Sequence, residues 1–245
     1  WRDWISHPSD GDYWAGQRLS DHWGSMMAPA LIMGGWYDLY SSDVFDEFVA
    51  LRSEGGSPEA KQSRLVVGPW PHGLSLSPRT GDVDFGDTAR FDLQSEHIRW
   101  FDHWLKGVEN GVADEPPVNV FVMGANRWRQ ADDWPVPGTR YTSYYLHSGG
   151  KANSLFGDGG LDTTAPTSEN PDRFDYDPEH PVMTAGGSTC CSEDITPISM
   201  GPRQQQAVEW RPDVLVYATP PLDSDVEVTG PVKMVLYAAS SARDT

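Results

Sequence analysis

The sequence is short of cysteine, of positive charge and of long apolar runs. Its only 2 cysteines among 245 residues, Cys190 and Cys191, are adjacent. Neighbouring thiols cannot build a disulfide framework, so they give no support for a secreted scaffold. Their spacing does not suit a zinc site, and no metal or other cofactor is expected. Two reduced thiols acting as small apolar side chains are the default, with a strained vicinal disulfide as the alternative. The 18 Lys and Arg stand against 36 Asp and Glu, a formal charge of −18. Such a surface repels phosphates, which excludes nucleic acid as a partner. The acidic excess reads first as solubility or adaptation to salt, and second as an attractor for cationic substrates. No run approaches the apolar length of a membrane helix, so a soluble protein without a membrane partner is expected. No basic–apolar leader follows Trp1. The compartment is left open, with the cytoplasm favoured.

The remaining composition is that of a globular protein. Hydrophobic residues make up 38% and include 11 tryptophans, enough for a substantial core. The length fits one large domain or two ordinary ones. The 24 glycines and 20 prolines are scattered without period, which suits turn-rich β structure. No internal repeat or low-complexity tract is present. The chain opens at Trp1 without an initiator methionine and stops at Thr245, just behind a strand-like run. Both ends are expected to be cuts in a longer protein.

Hydrophobic patterning divides the chain into two halves. Residues 1–23 are aromatic and polar, broken by Pro8 and Gly11, and read as helix and loop. Residues 30–35 (ALIMGG) and 64–68 (RLVVG) are apolar runs of the kind that form buried parallel strands. Between them, Val44, Phe45, Phe48 and Leu51 recur at helical spacing, with Asp43 as the expected cap and Gly55 and Gly56 as the stop. A loop rich in Gly, Asp, Pro and Ser runs to about residue 90. Residues 94–106 then read as a helix with Ile98, Phe101 and Leu105 on one face and Gly107 at its end. This order predicts an α/β sheet covered on both faces. One more strand is expected over 118–123. From Tyr141 onward the pattern changes to short β runs at 141–147, 214–218, 226–229 and 232–238, separated by turn residues. That predicts an all-β sandwich or jelly roll, with the boundary near Pro137.

The two apolar runs end alike. One leads into Gly34-Gly35-Trp36-Tyr37-Asp38, the other into Gly68-Pro69-Trp70-Pro71-His72. Ligands meet an open α/β sheet just beyond the carboxyl ends of its strands. An acid after one strand and a histidine after the next is the second half of the order Ser…Asp…His. Histidine, with an ordinary pKa near ~6.5, can take a proton from serine and return it to a leaving group. A carboxylate on its other nitrogen fixes the tautomer and stabilises the imidazolium. The bland alternative makes Asp38 a turn or helix cap and His72 a loop residue.

The segments PALIMGGWYDLY and RLVVGPWPHG resemble the acid and histidine motifs of the cocaine-esterase-like (CocE/NonD) hydrolases. These are related to X-prolyl dipeptidyl aminopeptidases and α-amino-acid ester hydrolases. The similarity continues in order through HPSDGDYW, HIRWFDHWLKG, VFVMGANRWRQADDWP, GPRQQQ and RPDVLVYATPPLDSDVEVTGPV. It implies an α/β-hydrolase domain, a helical cap inserted in it and a C-terminal jelly roll. Residues 1–25 would then be the tail of the cap, 26–137 the C-terminal part of the catalytic domain and 138–245 a truncated jelly roll. The resemblance implies that Asp38 is the triad acid and His72 the triad histidine. It also implies that Tyr40 lines the acyl pocket and that a loop carrying Cys190 and Cys191 reaches toward it. One departure matters: the family's Gly-x-Ser-x-Gly elbow is absent, and residues 73–77 (GLSLS) lack its last glycine and follow the histidine. The nucleophile and oxyanion hole are therefore expected in a missing N-terminal part, and this chain alone is expected to be inactive.

The expected reaction is hydrolysis of a small-molecule ester, an amide or a short peptide through an acyl-serine. An X-Pro dipeptide and an α-amino-acid ester are among the candidate substrates. A jelly-roll carbohydrate- or ligand-binding protein is the competing reading, and a homo-oligomer is left open. The other histidines read blandly: His97 and His103 lie on a helix, and His22, His147 and His180 look isolated. Trp128 and Trp134 read as core packing rather than a sugar platform.

Overall fold

Two runs too apolar to face water on either side set the frame. In a computed structural model, which describes residues 1–73, 77–189 and 200–243, they form strands β1 (Leu31–Tyr37) and β2 (Arg64–Pro71). Ahead of them lie the short helices α1 (Arg2–Ser6) and α2 (Asp12–Ala15) and two 3₁₀ turns. Helix α3 (Ser41–Glu54) crosses between β1 and β2. The hairpin of β3 (Arg79–Thr80) and β4 (Val83–Asp84) follows β2, and then comes helix α4 (Leu93–Lys106). Strands β5 (Val118–Val122) and β6 (Arg127–Ala131) complete a sheet of order β1-β2-β5-β6. The first three strands run parallel and β6 returns antiparallel. No helix of the described residues is long and apolar enough to cross a membrane.

Parallel strands need cover on both faces, and alternation of side chains assigns the cover. Ile32, Leu65, Val67, Val118 and Val120 point to one face, where Phe48 and Leu51 of α3 meet them with Trp134 and Val136. Phe121, one residue out of phase, packs on the other face with Phe85 and Ala89. Trp134 stacks on Phe45 at 4.2 Å and Trp128 lies against Phe121 and Phe91, so both are packing residues.

Two helix details differ from the sequence pattern. Tyr40, not Asp43, occupies the N-cap of α3; the turn begun at Asp38 starts the helix early and leaves Asp43 in its first turn. In α4 the apolar face is not the buried one. Only Trp100 is buried, while Ile98, Phe101 and Leu105 are exposed. The helix ends do follow their signals. Asp92 accepts the Ser95 amide at 3.0 Å, and Gly107 adopts φ 68° at the C-cap.

Beyond residue 138 the sequence pattern overstates the strands. β7 (Tyr145–His147) pairs with β8 (Gly160–Asp162), Leu215 bridges Asn153 and Ala218 bridges Gly160. The short helix α5 (Gln206–Glu209) precedes that segment. The carboxylate of Asp172 ties it together, accepting from Ser148 Oγ, the Ala152 amide and Tyr217 Oη at 2.7, 2.9 and 2.6 Å. Burial and this carboxylate push the Tyr217 phenol well above its ordinary pKa. Residues 226–229 and 232–238 form no strand, and Val228, Val232 and Tyr237 are exposed. An alternating run becomes a strand only where another backbone offers ladder partners, and among the described residues neither run has one: Glu227 reaches Arg129 of the edge strand β6 through side chains alone. The expected sandwich is not assembled by the described residues.

Candidate active site

Parallel pairing aligns the two strand ends. Gly35 lies opposite Gly68, and after an irregularity Tyr37 lies opposite Pro71. The next residues, Asp38 and His72, therefore emerge side by side. His72 Nδ1 lies 3.2 Å from both Asp38 Oδ1 and Oδ2. The Asp38 side chain is 11% exposed and that of His72 is 42% exposed. Asp38 is fixed by its own turn: its amide donates to Gly35 O, its carbonyl accepts from the Ser41 amide, and Oδ1 accepts from the Tyr40 amide at 2.9 Å. With Nδ1 turned to the acid, the opposite ring nitrogen, Nε2, is the one directed away from it.

Trp70, two residues before His72, anchors this strand end. It is buried, and its ring packs against Phe91 and Trp128 at 5.6 and 5.7 Å. Both paired glycines make room for it. A Cβ on Gly35 would lie 2.1 Å from the Trp70 carbonyl oxygen, and one on Gly68 would lie 2.2 Å from the indole. The glycines thus serve close packing beneath the site rather than a turn.

The β3–β4 hairpin locks the other side. Thr80 Oγ1 donates to Pro69 O at 2.7 Å from a buried position. The C-terminal half then grips the hairpin: Asp82 accepts from Arg203 Nη1 at 2.7 Å and from the Gln204 amide at 3.2 Å, while its own amide donates to Pro202 O. These bonds from Gln204 and Arg203 hold the Asp82 carboxyl below its ordinary pKa. Gly81 and Gly201 permit the approach, since a Cβ on either would fall within 2.6 Å of the opposing segment.

The other candidates separate. Tyr40 sits beside His72, with ring centroids 5.7 Å apart at 67°, and is half exposed. Cys190 and Cys191 lie outside the described residues. His103 Nδ1 meets Val108 O and its ring abuts Trp104. His147 is not isolated. Nδ1 meets Glu169 Oε1 at 2.6 Å, and Nε2 lies near Thr164 O and Asp162. Sequence reasoning missed Trp70, Thr80 and the Asp82–Arg203 pair. Repeated Gly-x-Trp at the carboxyl end of both strands was a usable sign for the first, whereas nothing local links Asp82 to Arg203.

Parallel strands with an acid and a histidine at adjacent carboxyl ends define an α/β-hydrolase type of half-sheet. Residues 1–74 match the family model described as X-Pro dipeptidyl-peptidase (S15 family), and residues 110–245 match that of the X-Pro dipeptidyl-peptidase C-terminal non-catalytic domain. The chain is 38% identical over 244 residues to cocaine esterase of Rhodococcus sp. (strain MB1 Bresler), covering 98% of this chain and 41% of that protein. An aminopeptidase structure from the marine sediment archaeon Thaumarchaeota archaeon aligns with TM-score 0.62 and 27% identity, over 91% of this chain and 35% of that one. A CocE/NonD family hydrolase from Staphylococcus aureus aligns with TM-score 0.48 and 19% identity, over 68% of this chain and 26% of that one. The chain belongs to the cocaine-esterase-like (CocE/NonD) hydrolases of the X-Pro dipeptidyl-peptidase group. It spans about two-fifths of the length of the cocaine esterase it matches.

Proposed function

We propose that this chain supplies the acid and the general base of a serine hydrolase, with Asp38 and His72 in those roles. The contact of His72 Nδ1 with the Asp38 carboxylate carries the reading. In the attack step, His72 Nε2 takes the proton of a serine hydroxyl as that oxygen bonds to the substrate carbonyl carbon. The imidazolium then hands the proton to the leaving alcohol or amine as the acyl–O or acyl–N bond breaks. Water repeats the cycle on the acyl-serine. Asp38 remains ionised throughout and holds the tautomer with its proton on Nδ1.

The serine and the oxyanion hole belong, in this proposal, to sequence preceding residue 1. Two observations support it: no Gly-x-Ser-x-Gly occurs in the 245 residues, and the cocaine-esterase relative is more than twice as long. Residues 1–25 are assigned to a cap, 26–137 to the catalytic domain and 138–245 to a jelly roll. The exposed apolar run at 226–238 would find its ladder partners in further strands of that jelly roll. Tyr40, at the edge of His72, would border the acyl group. The substrate class is a small ester, an amide or a short peptide. A fluorophosphonate probe offered to the intact protein tests the reading. Labelling of one serine, lost on prior heat denaturation, is expected; an intact protein that takes no label overturns it.

A further inference from the structure

The last residues of β2 before His72 have few backbone ties to the sheet. Pro69 and Pro71 carry no N–H and cannot donate to a ladder. The parallel pairing with β5 covers Leu65, Val66 and Val67 and goes no further, and the pairing with β1 shifts register between Gly35 and Tyr37. Sheet hydrogen bonding thus weakens over the stretch whose end carries the imidazole.

Thr80 takes hold of that stretch from outside the sheet. It is 4% exposed, and its Oγ1 donates to Pro69 O at 2.7 Å, three residues before His72. Pro69 is itself fully buried, where a carbonyl needs a donor. The methyl of the same threonine faces Gly201, since a Cβ on Gly201 would fall 2.6 Å from Thr80 Cγ2. A β-branched side chain packed on one branch and bonded through the other keeps one rotamer. Gly201 is fixed in turn by reciprocal bonds with Gly187 at 2.7 and 3.0 Å. Pro202, Arg203 and Gln204 hold Asp82, two residues beyond Thr80. The brace behind Thr80 lies wholly in the region that matches the C-terminal non-catalytic domain.

We propose that Thr80, braced by residues 201–204, is a positioning residue for His72. It acts through the Pro69 carbonyl and sets where the end of β2 delivers the imidazole to Asp38. The contacts of His72 Nδ1 with Asp38, at 3.2 Å, have little slack. A shift of about 1 Å breaks them and can cost on the order of 10²-fold in rate. The effect on rate rests on the hydrolase reading; the placing of the ring is measurable without turnover.

Steady-state kinetics and proton NMR on the intact protein test it. Thr80→Val keeps the shape of the side chain and removes the hydroxyl. It should lower kcat by about ten- to a hundredfold and leave KM within about twofold, because only the base is displaced. Thr80→Ser keeps the donor and should recover most of kcat. The Nδ1 proton held by Asp38 gives a resonance far downfield, identified by its loss in His72→Ala. It should shift or vanish in Thr80→Val and persist in Thr80→Ser. Circular dichroism establishes folding. Arg203→Met loosens the brace from the surface and should lower kcat severalfold at unchanged KM; it decides the matter if Thr80→Val does not fold, and wild-type kcat there then overturns the proposal. An unchanged resonance in folded Thr80→Val, or a Thr80→Ser variant as impaired as Thr80→Val, also overturns it. A protein that takes no fluorophosphonate label sinks the hydrolase reading instead, and the resonance alone then judges Thr80.

Discussion

One nitrogen of His72 meets both oxygens of Asp38, each at 3.2 Å. The carboxylate straddles Nδ1, so it fixes the plane of the imidazole as well as its tautomer. Tyr40 closes one side of the same ring.

In the intact protein, His72→Ala should lower kcat for an ester substrate by on the order of 10⁴-fold or more, leaving only the oxyanion hole and binding. Asp38→Asn should cost on the order of 10⁴-fold by favouring the wrong tautomer. His97→Ala should leave kcat unchanged. Steady-state kinetics with circular dichroism on the three variants checks this. Near wild-type kcat in a folded His72 variant would remove the residue from the mechanism.

Residues 1–245 expressed alone should show no turnover of a p-nitrophenyl ester above background, because triad members act as a unit. Progress curves on the purified chain, against buffer, give the answer. Robust turnover would place the nucleophile among these residues.

Gly68→Ala should destabilise the fold by about 1–3 kcal/mol, because the new methyl must displace the Trp70 ring. Trp70→Phe in the same chain should recover part of that loss by shrinking the indole. Denaturant unfolding of the single and double variants measures the coupling. Strictly additive effects would mean that the glycine does not serve the tryptophan.

His147 gives a pH prediction. Its bond to Glu169 raises its pKa above the ordinary 6.5, against a smaller opposing effect of desolvation. A histidine raised in the folded state stabilises while protonated. The contribution is complete below about pH 6.5, the unfolded value, and disappears as pH rises through the folded value. The difference in Tm between the wild type and His147→Gln should therefore be largest in mildly acidic buffer and close at alkaline pH. Thermal melts across that range test the sign, and a gap that widens with pH would reverse it.

The sheet was legible because β1 and β2 each open as an apolar run that reaches a glycine, which is a one-dimensional signal. The placement of Asp38 and His72 followed from the same signal, since parallel pairing brings like ends together. β6 was missed because its sequence, RWRQA, is polar; it lies at an edge and is half exposed. Which face of α4 is buried was not legible, because periodicity marks an apolar stripe without saying what covers it. Residues 226–238 show the same limit in a strand: alternation states a preference, and only a neighbouring backbone satisfies it.

The bonds between Asp82 and residues 202–204 set an order of events during synthesis. Arg203 leaves the ribosome 121 residues after Asp82, on the order of ten seconds later at usual elongation rates. Until then the hairpin behind His72 has β2 to hold it but no grip from the far side. The nascent chain completes its histidine arm only when the C-terminal half emerges. A stop codon before residue 203 would thus reach the Asp38–His72 pair without deleting either residue.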